Sequence, residues 1–125
     1  MSTIDDYFYD LIKKILDSYN ILKNLDDTED DLMILDVELS KINGLLKVLS
    51  RKSNEFSGKN SEFPKLQKKI QMYFENHEFT IELEKIKEIY SKDSLRIKNI
   101  KNSILNSLED QKLIDLIYDI SKKLK

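Results

Sequence analysis

Large aliphatic residues recur every three or four positions along most of this chain, the spacing of one face of an α-helix. The stretch after residue 30 shows it most cleanly. Leu32, Leu35, Leu39, Ile42, Leu46 and Leu49 alternate steps of three and four, a heptad seam of about three repeats. The phase runs on through Ser53 to Phe56, and Gly58 stands where a C′ glycine closes a helix. Such a helix would be roughly 40 Å long at about 1.5 Å per residue. Val37, Leu45 and Val48 fall off the seam, which predicts burial on more than one side. Gly44 falls on the outer face, where glycine costs roughly 1 kcal/mol of helix propensity. The seam can close inside a bundle or run on as a coiled coil with another chain. Three repeats are short for a free-standing coiled coil, so packing within the bundle is expected.

The same periodicity predicts a first helix from about residue 3 to residue 25, with Phe8, Leu11, Ile15, Leu22 and Leu25 on its seam. An acidic turn near residues 26–31 follows, with Thr28 as N-cap and Asp31 placed like the reciprocal partner of a capping box. Residues 58–64 have linker character, and Pro64 suits the first turn of a third helix. Leu66, Ile70 and Tyr73 continue at helical spacing, then Leu83, Ile86, Ile89 and Tyr90. Between them, Phe79, Ile81 and Leu83 alternate with period two. A helix is favoured there over a strand, because one isolated hairpin is marginally stable, and Thr80 is the candidate cap after a kink. Asp93 and its neighbours read as turn and cap before Ile97, Ile100, Ile104 and Leu108. The phase slips at residues 107–110, with Ser107 as a candidate cap, and Leu113, Ile117, Ile120 and Leu124 complete the last helix. The expected fold is all-α: one domain over residues 1–125, an antiparallel bundle of four to six helices, elongated by a long second helix.

Composition narrows the chemistry. Not one residue is alanine, while 34 are leucine or isoleucine, so helix axes should sit toward the wide end of the usual 8–10 Å. There is no cysteine, which excludes disulfides, thiol redox chemistry and cysteine-built zinc sites. Charged residues make up 35 % of the chain and the net charge is −2, so bulk attraction to nucleic acid or lipid is not expected. The signs are segregated: residues 1–50 hold 11 acids and 5 bases, residues 51–125 hold 12 acids and 16 bases. The acidic start and the lack of a long apolar run argue against a signal peptide or a membrane span. A cytoplasmic or nuclear protein is expected.

Tests for catalytic and metal-binding motifs fail on specific positions. An EF-hand loop begun at Asp26 would need glycine where Asp31 stands and glutamate where Val37 stands. His77 is the only histidine, and the place a zinc-protease motif reserves for a second one holds Ile81. Two glycines exclude a phosphate-binding loop. No enzyme, metal, cofactor or small-molecule substrate is therefore expected.

Aromatic triplets point instead to a protein partner. Tyr7, Phe8 and Tyr9 project about 100° apart on a helix, so one stripe cannot bury all three; Phe8 fits the seam and leaves Tyr7 or Tyr9 outside. Met72, Tyr73 and Phe74 pose the same problem, with Phe79 nearby. Exposed aromatics and methionines are common interface anchors, although tyrosines also sit at core margins with their hydroxyls in water. The expectation is a non-enzymatic protein-binding module, an assembly subunit, adaptor or inhibitor, binding another protein or its own copy through Tyr7, Tyr9, Met72, Tyr73, Phe74 and Phe79. The alternative is a small subunit of a nucleoprotein complex that touches RNA or DNA phosphates through Arg96, Lys98 and Lys101, on a helix free of acids from Ser94 to Leu108. Few arginines and an isoelectric point near 5.5 weigh against it.

Overall fold

A computed structural model describes residues 3–26, 28–55 and 62–124. They form helices α1 (Thr3–Lys23), α2 (Glu29–Glu55), α3 (Glu62–Asn76), α4 (Thr80–Ile89), α5 (Ser94–Glu109) and α6 (Leu113–Leu124), with one 3₁₀ turn at Asp110–Lys112. No strand occurs among the described residues, so the period-two stretch around Ile81 is helical. The fold is an all-α bundle.

Contacts join α1 to α2 and α6, α2 to α3, and α3 to α6, which closes a ring of four. Directions follow from anchoring pairs. Phe8 stacks on Phe63 with ring centroids 4.9 Å apart, and Lys123 reaches Glu62, so α1 and α3 begin where α6 ends. At the opposite end, Lys101 Nζ donates to the Leu25 carbonyl at 3.1 Å. The third rod of the bundle is α3 continued by α4. Its contacts advance along α2 from Asn43, which accepts from Tyr73, to Asp36, which pairs with Lys87. The fourth rod is α5 continued by α6, and α5 packs on α1, α2 and α4.

Both composite rods break at one level. In the third, residues 77–79 leave the helix, and the Glu78 carboxylate accepts the Thr80 N–H at 2.6 Å. That backbone donor holds the Glu78 carboxyl below its ordinary pKa. Thr80 is therefore the first helical residue and not the cap, because the carboxylate two residues earlier already satisfies its N–H. In the fourth rod, Lys112 adopts φ 61°, a left-handed conformation that interrupts the i→i+4 ladder. Ser107 is no cap either: it is buried, and its hydroxyl donates back to the Ile104 carbonyl at 2.7 Å. The breaks touch each other through His77 Nε2 and Asp110 Oδ2, 3.3 Å apart.

The predicted seams form the core, except that Ile89 is exposed and Leu25 and Tyr90 are half-buried. Leu35, Ile42, Leu46 and Leu49 of α2 are fully enclosed, with Phe8, Ile12, Ile15 and Leu22 of α1, Leu66 and Ile70 of α3, and Ile97 and Ile100 of α5. The heptad seam is thus consumed inside this chain. Large-to-small changes at such sites cost about 2–5 kcal/mol. Thr28 caps α2 as expected, its Oγ1 accepting the Asp31 N–H at 3.3 Å. Asp31 reaches back to the Asp26 N–H and not to Thr28, a lengthened form of the capping box. Gly58 and Phe56 lie outside the described residues. Of the linker expected at 58–64, the last three residues already belong to α3, with Pro64 in its first turn.

Candidate protein-docking surface

One face of α2 stays outside the bundle. Successive residues turn by about 100°, so the buried seam leaves Met33, Val37, Ser40, Gly44, Val48 and Arg51 on the opposite side. Met33 is 72 % exposed and Val37 52 %, with Ile34 on the flank at 41 %. Leu45 and Val48 are half-buried. The expectation that α2 buries more than one side holds in part: Leu45 and Val48 pack half-buried against the core, while Val37 is exposed with no described element over it. Ile21 of α1, 42 % exposed, continues the apolar surface into a groove of about 450 Å³ between α1 and α2, where Ser18, Lys41 and Leu45 also contribute.

The electrostatics of α2 are polarised along its axis. Asp30, Asp31, Asp36 and Glu38 occupy the first half; Lys41, Lys47, Arg51 and Lys52 occupy the second. Acids first and bases last complement the helix dipole. Some are engaged within the chain. Asp36 holds Lys87 at 2.9 Å, and that hydrogen bond, joined by one from Glu84, raises the Lys87 pKa. Glu38 is buried in the groove wall; its Oε1 accepts from Lys41 at 3.3 Å, while its enclosed Oε2 has no hydrogen-bond donor among the described residues. Asp30 and Arg51 are exposed on the outer face.

The six residues singled out in sequence do not converge. Tyr7 is 42 % exposed at the start of α1. Tyr9 is half-buried and lines the α1–α6 groove beside Tyr118. Tyr73 belongs to the core: it is 5 % exposed, and its hydroxyl donates to Asn43 Oδ1 at 2.8 Å. Met72 is half-buried beside Ser107 and Asp110. Phe74 is half-buried in a groove of about 690 Å³ between α2 and α3, with the Lys47 ammonium 5.5 Å from its ring centroid. Phe79 stacks on His77 at 6.2 Å and 4° between planes. Tyr7 and Tyr9 thus stand near Phe63, while the Met72–Phe79 group gathers at the far end of α3, about 15 Å along its axis. Sequence reasoning missed Met33, Ile34 and Ile21. Their signal was the off-seam Val37, which was read with Leu45 and Val48 as part of a second buried side.

The three basic residues are not gathered either. Arg96 is held by Asp93, Nε to Oδ2 at 3.2 Å, and its guanidinium lies 3.8 Å from the Tyr90 ring centroid. Lys98 is exposed, and Lys101 is buried on the Leu25 carbonyl. No described helix is long and apolar enough to cross a membrane. No family model, no curated protein and no solved structure matches the chain.

Proposed function

We propose that this protein is a non-enzymatic protein-binding module of the cytoplasm or nucleus, an assembly subunit, adaptor or inhibitor that docks through the outer face of α2. The observation that carries the reading is the exposure of Met33, Ile34 and Val37 together on a helix whose other apolar face is fully used by the core. Contiguous exposed apolar residues rimmed by charge are characteristic of protein interfaces. Tyr7 and Tyr9 then act as core-margin residues of α1, and Tyr73 supports the fold. The test compares the native chain with Val37→Glu for association in sedimentation and for partners retained from the native source. The substitution places a carboxylate at a solvent-facing site, so the fold survives while docking is lost. A chain that neither self-associates nor retains any protein, before or after the change, contradicts the reading.

A further inference from the structure

Gly44 is the starting point. It sits in mid-helix, where glycine lowers stability, and a Cβ placed there meets nothing within 4 Å. Nothing among the described residues therefore calls for glycine at that position. A close approach from outside does, since a missing side chain lets another backbone or side chain come near. Ser40, one turn earlier on the same face, is also small, in a chain that uses no alanine.

Asp30, Met33, Val37, Ser40, Gly44, Lys47 and Arg51 recur in steps of three and four, a second heptad seam on the solvent side of α2. Its pattern is complementary to its own reverse. When two α2 helices cross antiparallel about a two-fold axis between Ser40 and Lys41, Val37 of each falls over Gly44 of the other. Asp30 meets Arg51, and Met33 comes level with Val48, which is half-buried against the core. Both outer charges find opposite partners, and each Val37 finds a residue with no side chain. The parallel arrangement sets Asp30 against Asp30 and Arg51 against Arg51, and leaves two glycines facing each other across a void. From Asp30 to Arg51 the seam is about 32 Å long, enough for a helix-pair interface.

Resting on the protein-binding reading above, we propose that the partner on this face is a second copy of the chain, joined through an antiparallel α2–α2 contact centred at Ser40–Lys41. Such an interface is isologous, the same patch on both copies, as closed two-fold dimers require. Val37 supplies the central knob, Gly44 the hollow that receives it, and the Asp30–Arg51 pairs fix register and direction.

The absence of cysteine makes the register directly readable. Val37→Cys and Gly44→Cys chains, mixed and mildly oxidised, are expected to cross-link at least about tenfold faster than either alone. Opposed residues of a close pair lie within disulfide reach, whereas Val37 and its own copy are about 10 Å apart along the axis. Sedimentation equilibrium of the full chain should show a monomer–dimer equilibrium. Arg51→Glu should weaken it about tenfold, and Asp30→Lys together with Arg51→Glu should restore it to within about threefold of the native value. A strict monomer at all accessible concentrations, or Val37→Cys alone cross-linking as fast as the mixture, overturns the proposal. If that strict monomer still retains a protein that Val37→Glu releases, only the identity of the partner is wrong. If it retains none, the docking reading falls with it.

Discussion

At the scale of single residues, two positions carry most of what is unusual here. Gly44 sacrifices helix propensity with no compensating contact among the described residues. Gly44→Ala should therefore raise the unfolding free energy by about 0.5–1 kcal/mol in dilute solution, read from urea denaturation. In the α2–α2 pairing the added methyl occupies the hollow for Val37, so the same change should weaken the dimer while strengthening the monomer. Opposite signs from one methyl group are hard to obtain any other way. Lys101 makes the contrasting point. Its sequence neighbourhood, free of acids, presents it as a phosphate-binding cation, yet it is 8 % exposed and bonded to the Leu25 carbonyl. That carbonyl follows the end of α1, where backbone acceptors lack intrahelical donors, so a lysine there closes a helix terminus. A long-range partner of this kind leaves no trace in local sequence, since 76 positions separate the two residues.

At the scale of elements, periodicity located every helix core, because each seam is set by which side chains leave water. Leu32 through Leu49 is buried as spaced, and Asp93 caps α5 through the Arg96 N–H. Legibility failed at junctions. Thr80 and Ser107 have the chemistry of caps, but Glu78 and the Lys112 backbone do the terminating. The choice among several short polar residues is made by tertiary position, which periodicity does not encode. The exposure of Val37 was misread for a related reason. An off-seam valine looks the same whether a neighbouring helix or solvent covers it, and only the placement of the other rods decides. Lys112 offers a test at this scale. A non-glycine residue at φ 61° is held there at a cost of about 1–2 kcal/mol, and its side chain is exposed. Lys112→Gly should raise stability by up to about 1 kcal/mol in chemical denaturation. A loss of similar size would mean that the lysine side chain, not the backbone, maintains the break.

At the scale of the whole molecule, two tyrosine hydroxyls tie rods together. Tyr19 of α1 donates to the Glu109 carboxylate at the end of α5, and Tyr73 of α3 donates to Asn43 of α2. Burial pushes both phenols well above their ordinary pKa of 10.0. The hydrogen bond and charge of Glu109, with Asp115, add to the effect at Tyr19; at Tyr73 the Ser107 hydroxyl opposes it and the Glu78 charge adds. A phenol whose folded pKa exceeds its unfolded value contributes stability in full below about pH 10. Above that, the unfolded chain releases its protons first, so stability falls as pH rises toward the folded values. Lys87 acts in the same direction, because its raised pKa also keeps the folded state protonated longer than the unfolded one. The melting temperature should therefore be level through neutral pH and decline above about pH 10. In an alkaline titration followed by tyrosinate absorbance, Tyr19 and Tyr73 should ionise in a late phase, together with loss of the fold. Tyr19→Phe with Tyr73→Phe should flatten the alkaline decline, leaving the smaller Lys87 contribution, and should remove the late phase of the titration. Ionisation of Tyr19 and Tyr73 with helical circular dichroism intact would mean that these hydroxyls reach solvent and that the rods are held by their aliphatic seams alone.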